Sequence, residues 1–402
     1  MKESLVKNKT LKKTLSVLAF LMGVPSVYSA GEGYTLFKRI SGTIPTPAQR
    51  QAIETLASQG NFSAIASMAT QTEEFGYSTA LRIAEEICNR NVQDLPYNDC
   101  SWTVTSGIVK DLDMRDVLFG DVLATSNTVT NPAPANNNNN HWAAISKTTN
   151  IQAAAVIGTQ SGTYGFPAAQ VGGYMTFRQN AQTDLNAGTN RAPWAKLSKY
   201  VLGKELKDTK SLAAPVDKIN PDVTYYNSAN GQTDQSCIGC HAQLDGFRSA
   251  TAFHDFTNNR VTIGNAVVGK FPRAGTNTNN GFPAGMTNPS GFIPTNNAWV
   301  NNYFLYNNAA YQFRANPSRG LGTAEITSGT GLASMAKAVS ETRAFSVNLA
   351  RLVLDITCNA PDYTQFQSQL NEVADAVEDS GYNVKEAFAA ASQIEGCIPS
   401  AI

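Results

Sequence analysis

Apolar residues recur at helical spacing through both ends of the chain and lose that rhythm in its middle. Near the start, residues 34–40 predict a short helix closed by Gly42. Pro45-Thr46-Pro47 opens a second, with Thr46 as N-cap and Pro47 at the first helical position. Ile53, Leu56 and Ala57 supply its inward face, and Gly60 stops it. Asn61 caps a third segment through Met68, and residues 75–87 predict a fourth helix with Leu81, Ala84 and Ile87 inward. Val104, Ile108, Val109 and Leu112 continue the pattern, followed by a short segment at 116–120. At the far end, residues 332–356 form the strongest helical stretch, with Met335, Val339, Phe345, Leu349, Leu352, Val353 and Ile356 along one side. Beyond Pro361, residues 366–377 predict the next helix, Gly381 stops it, and Asn383 begins a last one with Val384, Ala387, Phe388 and Ala391 inward. Residues 40–75 and 356–397 echo each other as helix, turn with Pro, helix, Gly-containing turn and helix. That is either one hairpin used twice or a common helical pattern.

The middle is less regular. Residues 126–140 are of low complexity, with Pro132, Pro134 and an unbroken Asn run at 136–140, and mark a surface loop or boundary. Helices are expected around 151–157, 174–185 and 192–202, and a polar, Pro-interrupted stretch at 204–226. Leu244, Phe247, Ala250, Phe253 and Phe256 recur at helical spacing. Residues 258–295 are rich in Gly, Asn, Thr and Pro, with a hairpin expected near 260–268. The fold class is therefore mainly α, with long Asn/Gly/Thr-rich loops and little β structure. The expected division is a signal segment at 1–30, an N-terminal helical domain at 31–125, a central domain at 126–330 and a C-terminal helical hairpin domain at 331–402.

Charge narrows the picture chiefly by exclusion. The 402 residues carry 31 Lys and Arg against 31 Asp and Glu, which leaves no electrostatic case for nucleic acid or an anionic membrane as partner. The N-terminus does have a basic cluster, Lys2, Lys7, Lys9, Lys12 and Lys13, followed by an apolar run at 15–24 too short to span a bilayer. With small residues at Ser29 and Ala30, this reads as a secretory signal cleaved near residues 29–31, leaving no membrane span. An uncleaved anchor is the other reading. Export would place the mature chain in the periplasm or at the surface of a Gram-negative cell.

Six cysteines supply the candidate chemistry. Cys237-Ile238-Gly239-Cys240-His241 is the attachment signature for one covalent c-type haem. One helical turn between the thiols puts both sulfurs on one face, where they can add to the two haem vinyl groups. The adjoining imidazole of His241 is then the proximal iron ligand. A redox dithiol and half a zinc site are the alternatives. Zinc would want two more Cys or His at short spacing, and a thioredoxin-type pair a preceding hydrophobic strand. The remaining cysteines pair best as Cys88–Cys100 and Cys358–Cys397, the second clamping the last hairpin. Four free buried thiols are the alternative.

Several stretches together resemble a family. Gly188-Thr189-Asn190-Arg191-Ala192 follows Gly172-Gly173-Tyr174-Met175-Thr176; the haem motif then leads into Leu244-Asp245, and the tail carries Gly381-Tyr382-Asn383-Val384-Lys385 and Cys397. This looks like the large exported monohaem c-type cytochromes of proteobacteria and planctomycetes, a mostly uncharacterised family with helical segments flanking a central attachment motif. The resemblance covers most of the mature chain, though only the haem motif is chemically specific. It implies haem binding and electron transfer with a redox partner protein. The chain departs from a Leu-Asp-Pro form of the pattern by having Gly246 after Asp245. It does not look like a small soluble cytochrome c, which carries its motif near the mature N-terminus.

The group opposite His241 stays open. A Met ligand would raise the reduction potential, a second His would lower it, and an empty position would admit small molecules. His141 and Met175 are the candidate distal ligands. Met286, in the Gly/Asn-rich loop, shares the standing of Met175. His254, Met68, Met114 and Met335 are weaker: His254 is expected on the helix after the motif and Met335 in a core stripe. Arg191 is expected either on a haem propionate or in an ion pair with a nearby acid. Asp245 is expected near the haem-bearing loop or capping the next helix. One-electron transfer is the leading expectation. A haem oxidase, oxygenase or peroxidase with an open distal site is the enzymatic alternative, and a haem-containing surface interaction protein a third.

Overall fold

The structure is a computed structural model, and it describes residues 30–88, 97–145, 150–185, 191–206, 244–268, 294–301, 328–358, 367–394 and 397. The signal segment up to residue 29, most of the polar 204–226 stretch, the Cys237–His241 motif and Met286 lie outside the described residues.

Three helices open the chain: α1 (Ala30–Ser41), α2 (Pro47–Ser58) and α3 (Phe62–Thr70). Thr46 and Gln49 form a reciprocal capping box, the Gln49 amide donating to the Thr46 hydroxyl (3.3 Å) and the Thr46 amide to the Gln49 side chain (2.8 Å). A continuous helical run follows, from α4 (Glu73–Phe75) through a π-helical segment (Gly76–Ala80) into α5 (Leu81–Ile87). Then come α6 (Asp99–Val109), α7 (Met114–Phe119), β1 (Val122–Ser126), α8 (Asn140–Ala143), α9 (Ile151–Ala154), β2 (Ala155–Thr159) and α10 (Gln160–Tyr164). Beyond them are α11 (Arg178–Asp184), α12 (Ala192–Tyr200), α13 (residues 244–248), β3 (His254–Thr257), β4 (Arg260–Ile263), β5 (Ala298–Val300) and β6 (Ser328–Thr330). The chain closes with α14 (Gly331–Ser340), α15 (Arg343–Cys358), α16 (Gln367–Asp379) and α17 (Val384–Ala391). The fold is mainly α, and the described strands form three antiparallel pairs, β1–β2, β3–β4 and β5–β6.

Both chain ends are three-helix units that pack on each other, α1 against α15 and α3 against α17. In each unit the third helix is capped by an Asn side chain, Asn61 accepting from the Ala64 amide (3.2 Å) and Asn383 from the Lys385 amide (2.9 Å). Each of those turns contains a glycine in the left-handed region, Gly60 at φ 68° and Gly381 at φ 71°, where a side chain would be strained. Phe75 meets Phe388 edge to face across the junction, and the Arg39 guanidinium donates to the Thr357 carbonyl (3.0 Å). One buried apolar cluster runs from Leu36 to Cys397 and takes in residues from all three expected domains. The expected boundary at 125/126 falls inside β1, and the one at 330/331 between β6 and α14. Both disulfides form as the spacing suggested, Cys88–Cys100 and Cys358–Cys397, closing separations of 12 and 39 residues.

Four local expectations change. Residues 332–356 are two helices, because Thr342 folds its hydroxyl back to the Val339 carbonyl (2.8 Å) and restarts the chain at Arg343. The 174–185 stretch is a 3₁₀ turn (Gly173–Met175) and α11, separated at Thr176, whose hydroxyl accepts from the Gly172 amide (3.1 Å). The 151–157 stretch turns from helix to strand at Ala155. After the motif, the helix ends in a 3₁₀ turn (Ser249–Thr251), and His254 begins a hairpin. That hairpin turns on Asn258 and Asn259, at φ 52° and 60°, the two successive left-handed residues of a tight strand reversal.

Candidate haem site

The attachment motif itself lies outside the described residues, so the site is approached through the elements on either side of it. On its C-terminal side, the described residues resume at Leu244 in α13, three residues past His241, and Leu244, Asp245, Phe247 and Arg248 are all buried. Apolar contacts seat this segment. Phe247 lies 4.4 Å from Trp194 of α12 and 5.4 Å from Trp299 of β5, ring centroid to centroid. The Trp299 indole donates to the Ser334 hydroxyl (2.8 Å). Gly246 lets the backbones meet: a Cβ there would lie 2.8 Å from Cγ of Asn301 and 3.0 Å from the Val300 carbonyl oxygen.

A charged contact is set among these rings. Arg191 stands at the N-cap position of α12 and grips Asp245 with both arms of its fork: Nε donates to Oδ1 (2.6 Å) and Nη2 to Oδ2 (3.0 Å). The Asp245 side chain is 0% exposed and that of Arg191 13%. The ion pair with a nearby acid, one of the two readings open for Arg191, is formed, and Asp245 is that acid.

His141 is buried, with both ring nitrogens engaged by backbone. Nδ1 lies 2.9 Å from the Pro132 carbonyl, to which it donates, and Nε2 accepts from the Ser126 amide at 3.1 Å. Those backbone partners occupy both ring nitrogens, the atoms through which a histidine binds iron. His141 thus holds the 126–140 loop against β1, beside Trp142, whose indole donates to the Ala124 carbonyl (3.1 Å). In this arrangement His141 serves as a core residue, the second of the two readings open for it. His254 is buried on β3 and bonds through Nε2 to the Gln170 carbonyl (2.7 Å). Burial pushes its pKa down to about 4, more than the Gln170 and Thr251 backbone contacts raise it.

Met175 lies in the 3₁₀ turn packed against α7, α11 and α12, and is buried. Met114 and Met335 are core residues, and Met68 packs at the edge of the same cluster. Met175 is the candidate distal ligand that neighbours α12, the helix opened by Arg191.

Two buried acids were not singled out in the sequence. The Asp99 carboxylate accepts from the amides of Arg178 (2.5 Å) and Gln179 (3.1 Å) at the start of α11, and from the Tyr164 hydroxyl (3.2 Å). It caps a helix 79 residues away in sequence, while burial pushes its pKa up. Asp184, at the end of α11, is raised to about 7 by burial, against the opposing Thr183 hydroxyl and Lys196 charge. The signal for Asp99 was its place one residue into a helix, after Asn98; for Asp184 there was none.

Among the described residues no group of three or more His, Cys, Asp or Glu is placed to hold a metal ion, and no helix is long and apolar enough to cross a membrane. Comparison with protein-family models, with curated proteins and with solved structures returned no match to this chain.

Proposed function

We propose that this chain is an exported monohaem c-type cytochrome that transfers one electron, with Cys237 and Cys240 carrying the haem in thioether linkage and His241 as proximal ligand. The observation that carries the reading is the Cys-x-x-Cys-His run, taken together with the cysteine count. Four of the six cysteines are joined in two disulfides, which leaves Cys237 and Cys240 as the remaining pair. The donor set therefore fits haem better than zinc, for which the other thiols are already committed. Two disulfides also suit a chain that folds outside the cytoplasm, in keeping with the basic and apolar N-terminal segment. When bound, the haem supplies an iron that cycles between ferric and ferrous states. The chain's own part is to hold His241 on one side, set the polarity around the ring, and meet a partner protein.

A second reading is a haem enzyme with an open or displaceable distal position. What favours it is that His141 and His254 are both engaged by backbone. Optical spectra with and without carbon monoxide separate the two. A carrier with a Met ligand gives a low-spin spectrum with a far-red sulfur-to-iron band and no response to carbon monoxide. A ready shift on adding the gas contradicts the carrier and supports the enzyme.

A further inference from the structure

We propose that Arg191 is a positioning residue for the haem-attachment segment and acts through Asp245; this rests on the haem reading above. Asp245 lies four residues beyond His241, and four residues reach at most about 14 Å even when fully extended. Whatever fixes Asp245 therefore limits where the proximal ligand can stand.

Three features make the fixing specific. First, the Asp245 carboxylate is fully enclosed, and an enclosed carboxylate demands a partner of opposite charge. Second, the partner is a fork rather than a point charge. Its two bonds of 2.6 and 3.0 Å set the distance, plane and rotation of the carboxylate together, which a lysine could not do. Third, the surrounding contacts are apolar and tolerant of sliding: Phe247 lies between Trp194 and Trp299, with ring centroids 4.4 and 5.4 Å away. The Trp194–Phe247 ring contact has no fixed direction, whereas the forked ion pair does. A buried pair is a poor source of stability but a known way to select one arrangement among several. Gly246 next door, with the β5 backbone pressed against it, leaves the segment little room to re-seat.

The test uses the full chain, produced in a bacterial host that exports and matures c-type cytochromes. Parent, Arg191→Lys and Asp245→Asn are compared for covalent haem per chain, reduction potential, band positions and thermal midpoint. The expected result is that Arg191→Lys unfolds near the parent midpoint yet loses much of its covalent haem. The loaded fraction should have a shifted potential, and Asp245→Asn should add little to Arg191→Lys. A charge-free replacement, Arg191→Met with Asp245→Leu, keeps the helices packed without the fork and should show the same haem defect. If the folded variants match the parent in haem content, potential and spectrum, Arg191 is only structural and the proposal is overturned. If the parent carries no covalent haem, the haem reading falls first and takes this one with it.

Discussion

Asp184 has a carboxyl group that is 1% exposed, and burial raises its pKa from 3.8 to about 7. The folded chain therefore holds this proton more tightly than the unfolded chain does. Between about pH 4 and pH 7 the unfolded state has lost the proton and the native state keeps it, so stability falls as pH rises through that window and levels off above it. The effect amounts to up to about 4 kcal/mol. Asp184→Asn should remove the slope, matching the parent near pH 4 and exceeding it at pH 8 in urea unfolding. Parallel stability profiles for the two proteins would contradict the assignment. Residue-scale facts of this kind were the least legible in the sequence. Nothing in Gln182-Thr183-Asp184-Leu185 distinguishes a buried acid from a solvated one. The surroundings of His141 depend on Ser126 and Pro132, residues a loop away, so they are not legible from its own stretch of sequence. Arg191 and Asp245 stand 54 residues apart, and neither local sequence carries a signal for their pairing, which depends on α12 meeting α13.

Elements whose signals are local were readable; elements whose signals come from the tertiary fold were not. The caps at Thr46, Asn61 and Asn383 depend on residues within three positions, and each was correctly placed. Asn383→Ala should lower stability by about 1 kcal/mol and Asn383→Gly by only a few tenths. Urea midpoints check this, and an alanine variant as stable as the parent would show that the cap contributes nothing. The β3–β4 hairpin was displaced because Phe253 and Phe256 are three apart, as on a helix face, whereas Phe256 lies inward at strand alternation with His254. Its turn residues, Asn258 and Asn259, looked like part of a long polar loop. The break at Thr342 escaped notice because apolar spacing persists on both sides of it, and only the hydroxyl bond back to Val339 shows the restart.

At the scale of the molecule, the two chain ends form one packed body, α1 on α15 and α3 on α17. The repeat seen in the sequence appears as two three-helix units. Each disulfide closes a loop near this body, and loop length ranks their contributions at about 3 kcal/mol for Cys88–Cys100 and about 4 kcal/mol for Cys358–Cys397. Replacing each pair by alanines and comparing guanidinium midpoints should reproduce that order; a larger loss from the shorter loop would contradict it. The disulfide pairing was legible because each closure joins cysteines near in the chain, Cys88 with Cys100 and Cys358 with Cys397. One buried apolar cluster takes in residues of each expected domain, because a low-complexity loop interrupts the chain without having to interrupt the core. The central claim concerns the two cysteines left over, and intact mass spectrometry of the purified exported protein tests it most directly. The account predicts one haem per chain, still attached after acid–acetone extraction and lost when Cys237 and Cys240 are both replaced by alanine. A mature chain whose mass shows no haem, or whose haem is extracted by acid–acetone, would contradict it.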